Sequence, residues 1–156
     1  MIEIFVKAWD KNKSLLEEHI KKQNQEDLDY ALLLKWLINI VINPYIDETD
    51  SYIQKFDSDK IHVIDDGDYQ GSQLFIVPTN IYQPEPDDYI WTYQNYGSCS
   101  GCDLLESIRE CDEGLPTEKQ VKEYMMLELH LLQRCRWMFD RETYIDDIKK
   151  EQNENT

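Results

Sequence analysis

From Ile2 onward the apolar residues Ile2, Phe5, Val6, Trp9, Leu16 and Ile20 recur mostly three and four apart. That spacing gathers them on one helical face and predicts an amphipathic helix running to about Lys22. Ser14 and Glu17 form a capping-box pattern that would instead begin the helix there and leave Ile2 to Ala8 as a strand; one continuous helix is the preferred reading. A polar joint, Gln23 to Glu26, leads to Asp27 as the expected N-cap of a second helix through about Ile42. Its buried stripe is Tyr30, Leu33, Leu34, Leu37, Ile38 and Val41, and Asn43 with Pro44 should terminate it. Two helices joined this closely are expected to pack as a hairpin.

Tyr45 to Asp59 is acidic and aperiodic, with Tyr52, Ile53 and Phe56 as its expected anchors. The pattern then changes to strands. Ile61 to Asp65, Gln73 to Val77 and Tyr89 to Tyr96 are β-branched and aromatic runs separated by Asp66-Gly67, Gly71 and the pair Pro84 and Pro86. They predict a three-stranded antiparallel meander. In the third strand Tyr89, Trp91 and Tyr93 point one way and Ile90, Thr92 and Gln94 the other. The aromatic band is expected to pack on the helices; a ligand-stacking platform is the sharper alternative.

Further along, Asp103 to Glu110 predicts a short helix broken by Gly114 and Pro116. Thr117 and Glu118 open a long helix to about Phe139, with Val121, Tyr124, Met125, Leu129, Leu132, Cys135, Met138 and Phe139 as its apolar stripe. Arg141 to Lys149 could add a turn or two, and residues 151–156 should fray. The expected architecture is a single α+β domain over 1–150, a three-stranded antiparallel sheet packed against an N-terminal helix pair and a long C-terminal helix.

At 156 residues, 41% hydrophobic, the chain can bury a core without disulfides or metals. Its longest apolar stretch, Leu37 to Ile42, is broken by Asn39 and falls well short of the roughly 20 residues that a membrane span requires. No basic, apolar leader follows Met1, so a cytoplasmic location with reduced cysteines is expected. Asp and Glu number 32 against 16 Lys and Arg, a formal net charge of −16. Such a charge repels nucleic acid and anionic membrane and favours cationic partners. Mimicry of nucleic acid, filling the basic groove of a nucleic-acid-binding protein, is the sharp form of that expectation; plain solubility is the bland one.

Candidate chemistry centres on the run YGSCSGCD, Tyr96 to Asp103. Cys99 and Cys102 have the CxxC spacing of zinc sites and dithiol centres, and Cys111 with either His130 or Cys135 could complete a tetrahedral zinc set. The second pair lacks a CxxC or HxxxH pattern, and Cys135 lies on the apolar stripe, where a thiol is more often a core residue. A helix beginning near the motif would favour a thiolate at Cys99. The acids Asp103, Glu106, Asp112 and Glu113 oppose it. A zinc or thiol-redox protein built on Cys99 and Cys102 is therefore the alternative functional class. The structural alternative is a strand-to-helix corner made of small residues. His19, His62 and His130 pair with no nucleophile motif. The turn Asp65, Asp66, Gly67, Asp68 lacks the ligand order of an EF-hand and is better explained as a solvated hairpin. No P-loop, dinucleotide fingerprint, GxSxG or HExxH is present.

The segments IHVIDDGDYQG, LFIVP, YGSCSGCDLL and PTEKQVKEYM together resemble a family of small acidic proteins encoded by bacteriophages and prophages. The likeness is strongest from His62 to Leu105 and weaker over Thr117 to Leu132. It implies a non-structural phage accessory protein acting in a bacterial cytoplasm. It carries no catalytic residues with it. The leading expectation is a non-enzymatic host-interaction protein whose acidic surface engages a basic partner.

Overall fold

In the computed structural model, which describes residues 2–49, 52–98, 103–110 and 114–138, the amphipathic stretch at the start is one helix, α1 (Ile2–Lys21). Phe5, Ala8, Leu16 and Ile20 are buried along it, and Ser14 lies exposed in mid-helix rather than capping a new one. A single 3-10 turn, Gln25–Asp27, follows. The cap of α2 (Tyr30–Trp36) is Asp29, whose Oδ1 accepts the Leu32 N–H at 2.7 Å; Asp27 does not cap it. The displacement has a physical cause: Gln25 is drawn fully into the core, where it bonds Gln120 and Tyr124, so the turn must close before the helix can begin.

Asn43 and Pro44 do not stop the helical run. Leu37–Ile42 forms a π-helical segment that leads directly into α3 (Asn43–Glu48), with Pro44 in its first turn. Inside an α-helix a proline ring collides with the carbonyl four residues back, whereas a first-turn position tolerates it. The widened turn is held from α1, where the buried Asn12 donates Nδ2–H to the Val41 carbonyl at 3.0 Å. Asn43 then grips the next segment: its Nδ2 donates to the Phe56 carbonyl and its Oδ1 accepts the Phe56 N–H, both at 2.9 Å. Of the three expected anchors, Ile53 and Phe56 are buried and Tyr52 is exposed.

Among the described residues the sheet has four strands, not three, in the order β1 (His62–Asp65), β2 (Gly71–Pro78), β3 (Tyr89–Tyr96) and β4 (Arg136–Trp137), all antiparallel. The first three fall where alternation placed them. Strand β4 comes from the stretch expected to be the end of the long helix. Helix α5 (Glu118–Gln133) opens on Thr117, whose hydroxyl accepts the Gln120 N–H in a full capping box, and stops at Arg134. Pairing Ile90 with Trp137 and Trp91 with Arg136 satisfies the outer edge of β3 and buries one side of Trp137 against Phe56. The ring centroids of Trp137 and Phe56 are 6.0 Å apart, and Phe5 meets Phe56 edge-on at 6.1 Å. That aromatic chain joins α1, the linker and the sheet into one core.

The two sides of the sheet are also the reverse of expectation. Phe75 and Val77 on β2 and Ile90, Thr92 and Gln94 on β3 are the residues buried towards the helices. Thr92 fixes the contact by donating its hydroxyl to the Leu131 carbonyl of α5 at 2.8 Å. Tyr89, Trp91 and Tyr93 therefore face outward. Among the described residues no helix is long and apolar enough to cross a membrane.

Candidate functional site

The cysteine loop is closed at its described ends. Asp103, nearly buried, caps α4 (Leu104–Arg109) by accepting the N–H groups of Leu105 at 2.9 Å and Glu106 at 3.3 Å. Its other oxygen reaches back across the loop to accept the Gly97 N–H at 3.2 Å, and the oxygen that caps the helix also accepts the Tyr30 hydroxyl at 2.6 Å. Burial, reinforced by this bond to Asp103, raises the Tyr30 pKa far above that of an ordinary phenol. One carboxylate thus fastens strand end, helix start and α2.

Cys99, Cys102 and Cys111 lie outside the described residues. His130 is half-buried on α5, and among the described residues no three His, Cys, Asp or Glu side chains converge as metal ligands. Cys135 is a core thiol: burial pushes its pKa up to about 12, and its Sγ lies 3.3 Å from the Leu131 carbonyl. Such a group is a poor thiolate ligand and a poor nucleophile.

The acidic hairpin serves its own backbone. Asp65 accepts the Gly67 N–H at 3.1 Å and Asp66 accepts the Ser72 N–H at 2.6 Å. The Tyr96 hydroxyl bonds both Asp65 and the Gly67 carbonyl, which holds the Asp65 carboxyl below its usual range and lifts the Tyr96 phenol to about 12. A Cβ on Gly67 would sit 2.1 Å from the Gln70 carbonyl oxygen, so the turn admits no side chain there.

Elsewhere many cations are held by neighbouring acids. Lys7 pairs with Glu3 at 3.0 Å, Lys21 with Glu18 at 3.0 Å, Lys35 with Asp59 at 2.8 Å, Lys55 with Asp47 at 3.1 Å and Lys60 with Asp57 at 3.7 Å; Lys11 contacts Glu48. Exposed pairs of this kind add little stability. Their consequence is electrostatic, because each occupies a cation in a chain that carries twice as many acids as bases.

The outward sheet face departs from this pattern. Cross-strand register sets His62, Ile76, Trp91 and Arg136 in one row and Ile64, Leu74 and Tyr93 in the next. Trp91 and Tyr93 lie nearly parallel, 6.1 Å between centroids and 26° between planes, and the Arg134 guanidinium sits 5.3 Å from the Tyr93 centroid. Arg134 donates to Gln94 and Arg136 to the Gln133 and Cys135 carbonyls. Ile64 is 52% exposed and Tyr93 37%. Alternation in β3 identified the aromatic set but not its direction.

A second apolar feature is a groove of about 450 Å³ between α1 and α5, lined by Ile2, Val6, Trp9, Leu129 and Leu132 among others. Deeper on α5, Glu128 is wholly buried and neither carboxylate oxygen has a hydrogen-bond partner among the described residues. Sequence patterning missed it, since a charged residue at a core position carries no apolar signal. Compared with known proteins, the chain matches no family model, no curated protein and no solved structure.

Proposed function

We propose that this is a non-enzymatic bacteriophage accessory or host-interaction protein, acting in the bacterial cytoplasm, whose acidic surface binds a basic partner; nucleic-acid mimicry is the sharpest form of that activity. The observation that carries the proposal is the charge distribution. Acids outnumber bases by 16, and surface ion pairs, which take one lysine and one carboxylate each, leave that surplus unpaired. A net charge of −16 draws in cationic proteins and disfavours polyanions. The likeness to small acidic phage proteins supplies the biological setting.

The test is a salt series. Affinity for a lysine-rich peptide, measured by calorimetry, should weaken by about tenfold or more as ionic strength rises from low to above physiological, because exposed charges are screened within roughly 8 Å at 0.15 M. Affinity that holds constant across the series refutes the proposal.

A further inference from the structure

We infer that the outward face of the sheet is the docking centre for a protein partner that lays down an extended segment, apolar in its middle and basic at both ends. The inference rests on the proposed binding of basic partners and says where on the molecule such a partner sits. Among the described residues no outward strand position carries a carboxylate. The outward residues are His62 and Ile64 on β1; Ser72, Leu74 and Ile76 on β2, with Pro78 buried at the strand end; Tyr89, Trp91, Tyr93 and Asn95 on β3; and Arg136 on β4. In a chain with 32 acids the described strands thus present outward side chains free of acids, with an aromatic centre.

Acids return at the two ends of the strands. The β1–β2 turn brings Asp66 and Asp68 to one end, and the loop between β2 and β3 brings Glu85, Asp87 and Asp88 to the other. Eight-residue strands separate those ends by roughly 27 Å. The charge pattern along the strand direction is therefore negative, apolar, negative, and its complement is positive, apolar, positive. Protein interfaces concentrate their energy in Trp, Tyr and Arg at an apolar centre inside a polar rim. Trp91, Tyr93, Arg134 and Arg136 supply that centre, with the Arg134 guanidinium 5.3 Å from the Tyr93 centroid and Trp91 nearly parallel to Tyr93.

Two peptides of equal charge test the inference on the full chain: Lys-Lys-Leu-Thr-Leu-Thr-Leu-Lys-Lys and the same peptide with serine at each leucine. Nine extended residues span roughly 30 Å, enough to reach both acidic ends. The leucine peptide should bind about tenfold tighter or more, and its binding should shift the Trp91 indole resonance. Trp91→Ser and Tyr93→Ser should each reduce it towards the serine-peptide affinity, and Trp91→Phe should retain the preference; thermal melts confirm that the variants are folded.

Equal affinities, or a leucine preference that survives Trp91→Ser, would overturn the docking face while leaving salt-dependent acidic binding intact. Leucine-peptide binding that is lost in Trp91→Ser yet ignores salt would keep the face and remove the acidic reading. Binding of neither peptide refutes both. Displacement of the leucine peptide by oligothymidylate, or a dimer in sedimentation that Trp91→Ser dissolves, would also overturn the inference, assigning the face to nucleic acid or to a second copy.

Discussion

Glu128 offers the sharpest test of the energetics of this fold. It occupies the middle of α5 with no exposed surface, and neither of its oxygens finds a hydrogen-bond partner among the described residues. Burial raises its pKa well above that of an ordinary glutamate. The folded state therefore holds a proton that the unfolded chain releases near pH 4.5. Stability from this group is fully present below that pH and is lost as pH rises from there through the folded pKa. Within that window the loss proceeds at about 1.4 kcal/mol per pH unit. Urea unfolding of the parent and of Glu128→Gln at pH 5, 6 and 7 isolates the effect, because every other titrating group is common to both. The stability difference should grow in favour of Glu128→Gln at about that slope until the folded pKa is reached. Glu128→Leu should gain a further ~1–3 kcal/mol by removing an unsatisfied buried polar group. Parallel pH curves for parent and Glu128→Gln would refute the reasoning, since they require a carboxylate already ionised and compensated in the fold.

Two more expectations follow from the hydrogen bonding and a third from the buried thiol. Asp103→Ala should cost about 2–4 kcal/mol in denaturant unfolding, since it removes the cap of α4 and leaves the buried Tyr30 hydroxyl proton without its acceptor; a loss under about 0.5 kcal/mol would contradict the role given to Asp103. Asn12→Ala should destabilise by about 1–2 kcal/mol and speed amide exchange across Leu37–Ile42, because the Val41 carbonyl loses its donor; unchanged exchange there would show that the π segment stands without it. Native thiol labelling mapped by mass spectrometry should leave Cys135 unmodified until the chain unfolds, because its thiol is buried; metal analysis of protein purified without chelator tests the zinc alternative at Cys99, Cys102, Cys111 and His130, which one equivalent of bound zinc would support.

Much of the fold was legible because it rests on local rules. Helix α1, strands β1 to β3, the short helix from Asp103 and the opening of α5 at Thr117 all follow from spacing and hydrogen-bonding capacity within a few residues. The misses share a different character. Asp29 caps α2 instead of Asp27 because Gln25 is pulled into a buried network with Gln120 and Tyr124, residues far along the chain. Helical structure continues past Asn43 because a π segment, tied to Asn12, brings Pro44 into a first turn where its ring is tolerated. Residues 136 and 137 leave the helical pattern because the edge of β3 and the aromatic pocket at Phe56 reward pairing and burial together.

The same division holds for function. Sequence by itself determined the excess of acids, the CxxC run and the membership of Tyr89, Trp91 and Tyr93 in one face of a strand, since charge is additive and side-chain alternation is a property of the extended backbone. Only the tertiary structure decided that this aromatic band turns away from the helices, with Arg134 and Arg136 beside it and acidic loops at either end. The direction of a strand face depends on what else is available to pack against it. Here Phe75, Val77, Ile90 and the Thr92 bond to α5 claimed the inner side, and the aromatics were left to face outward.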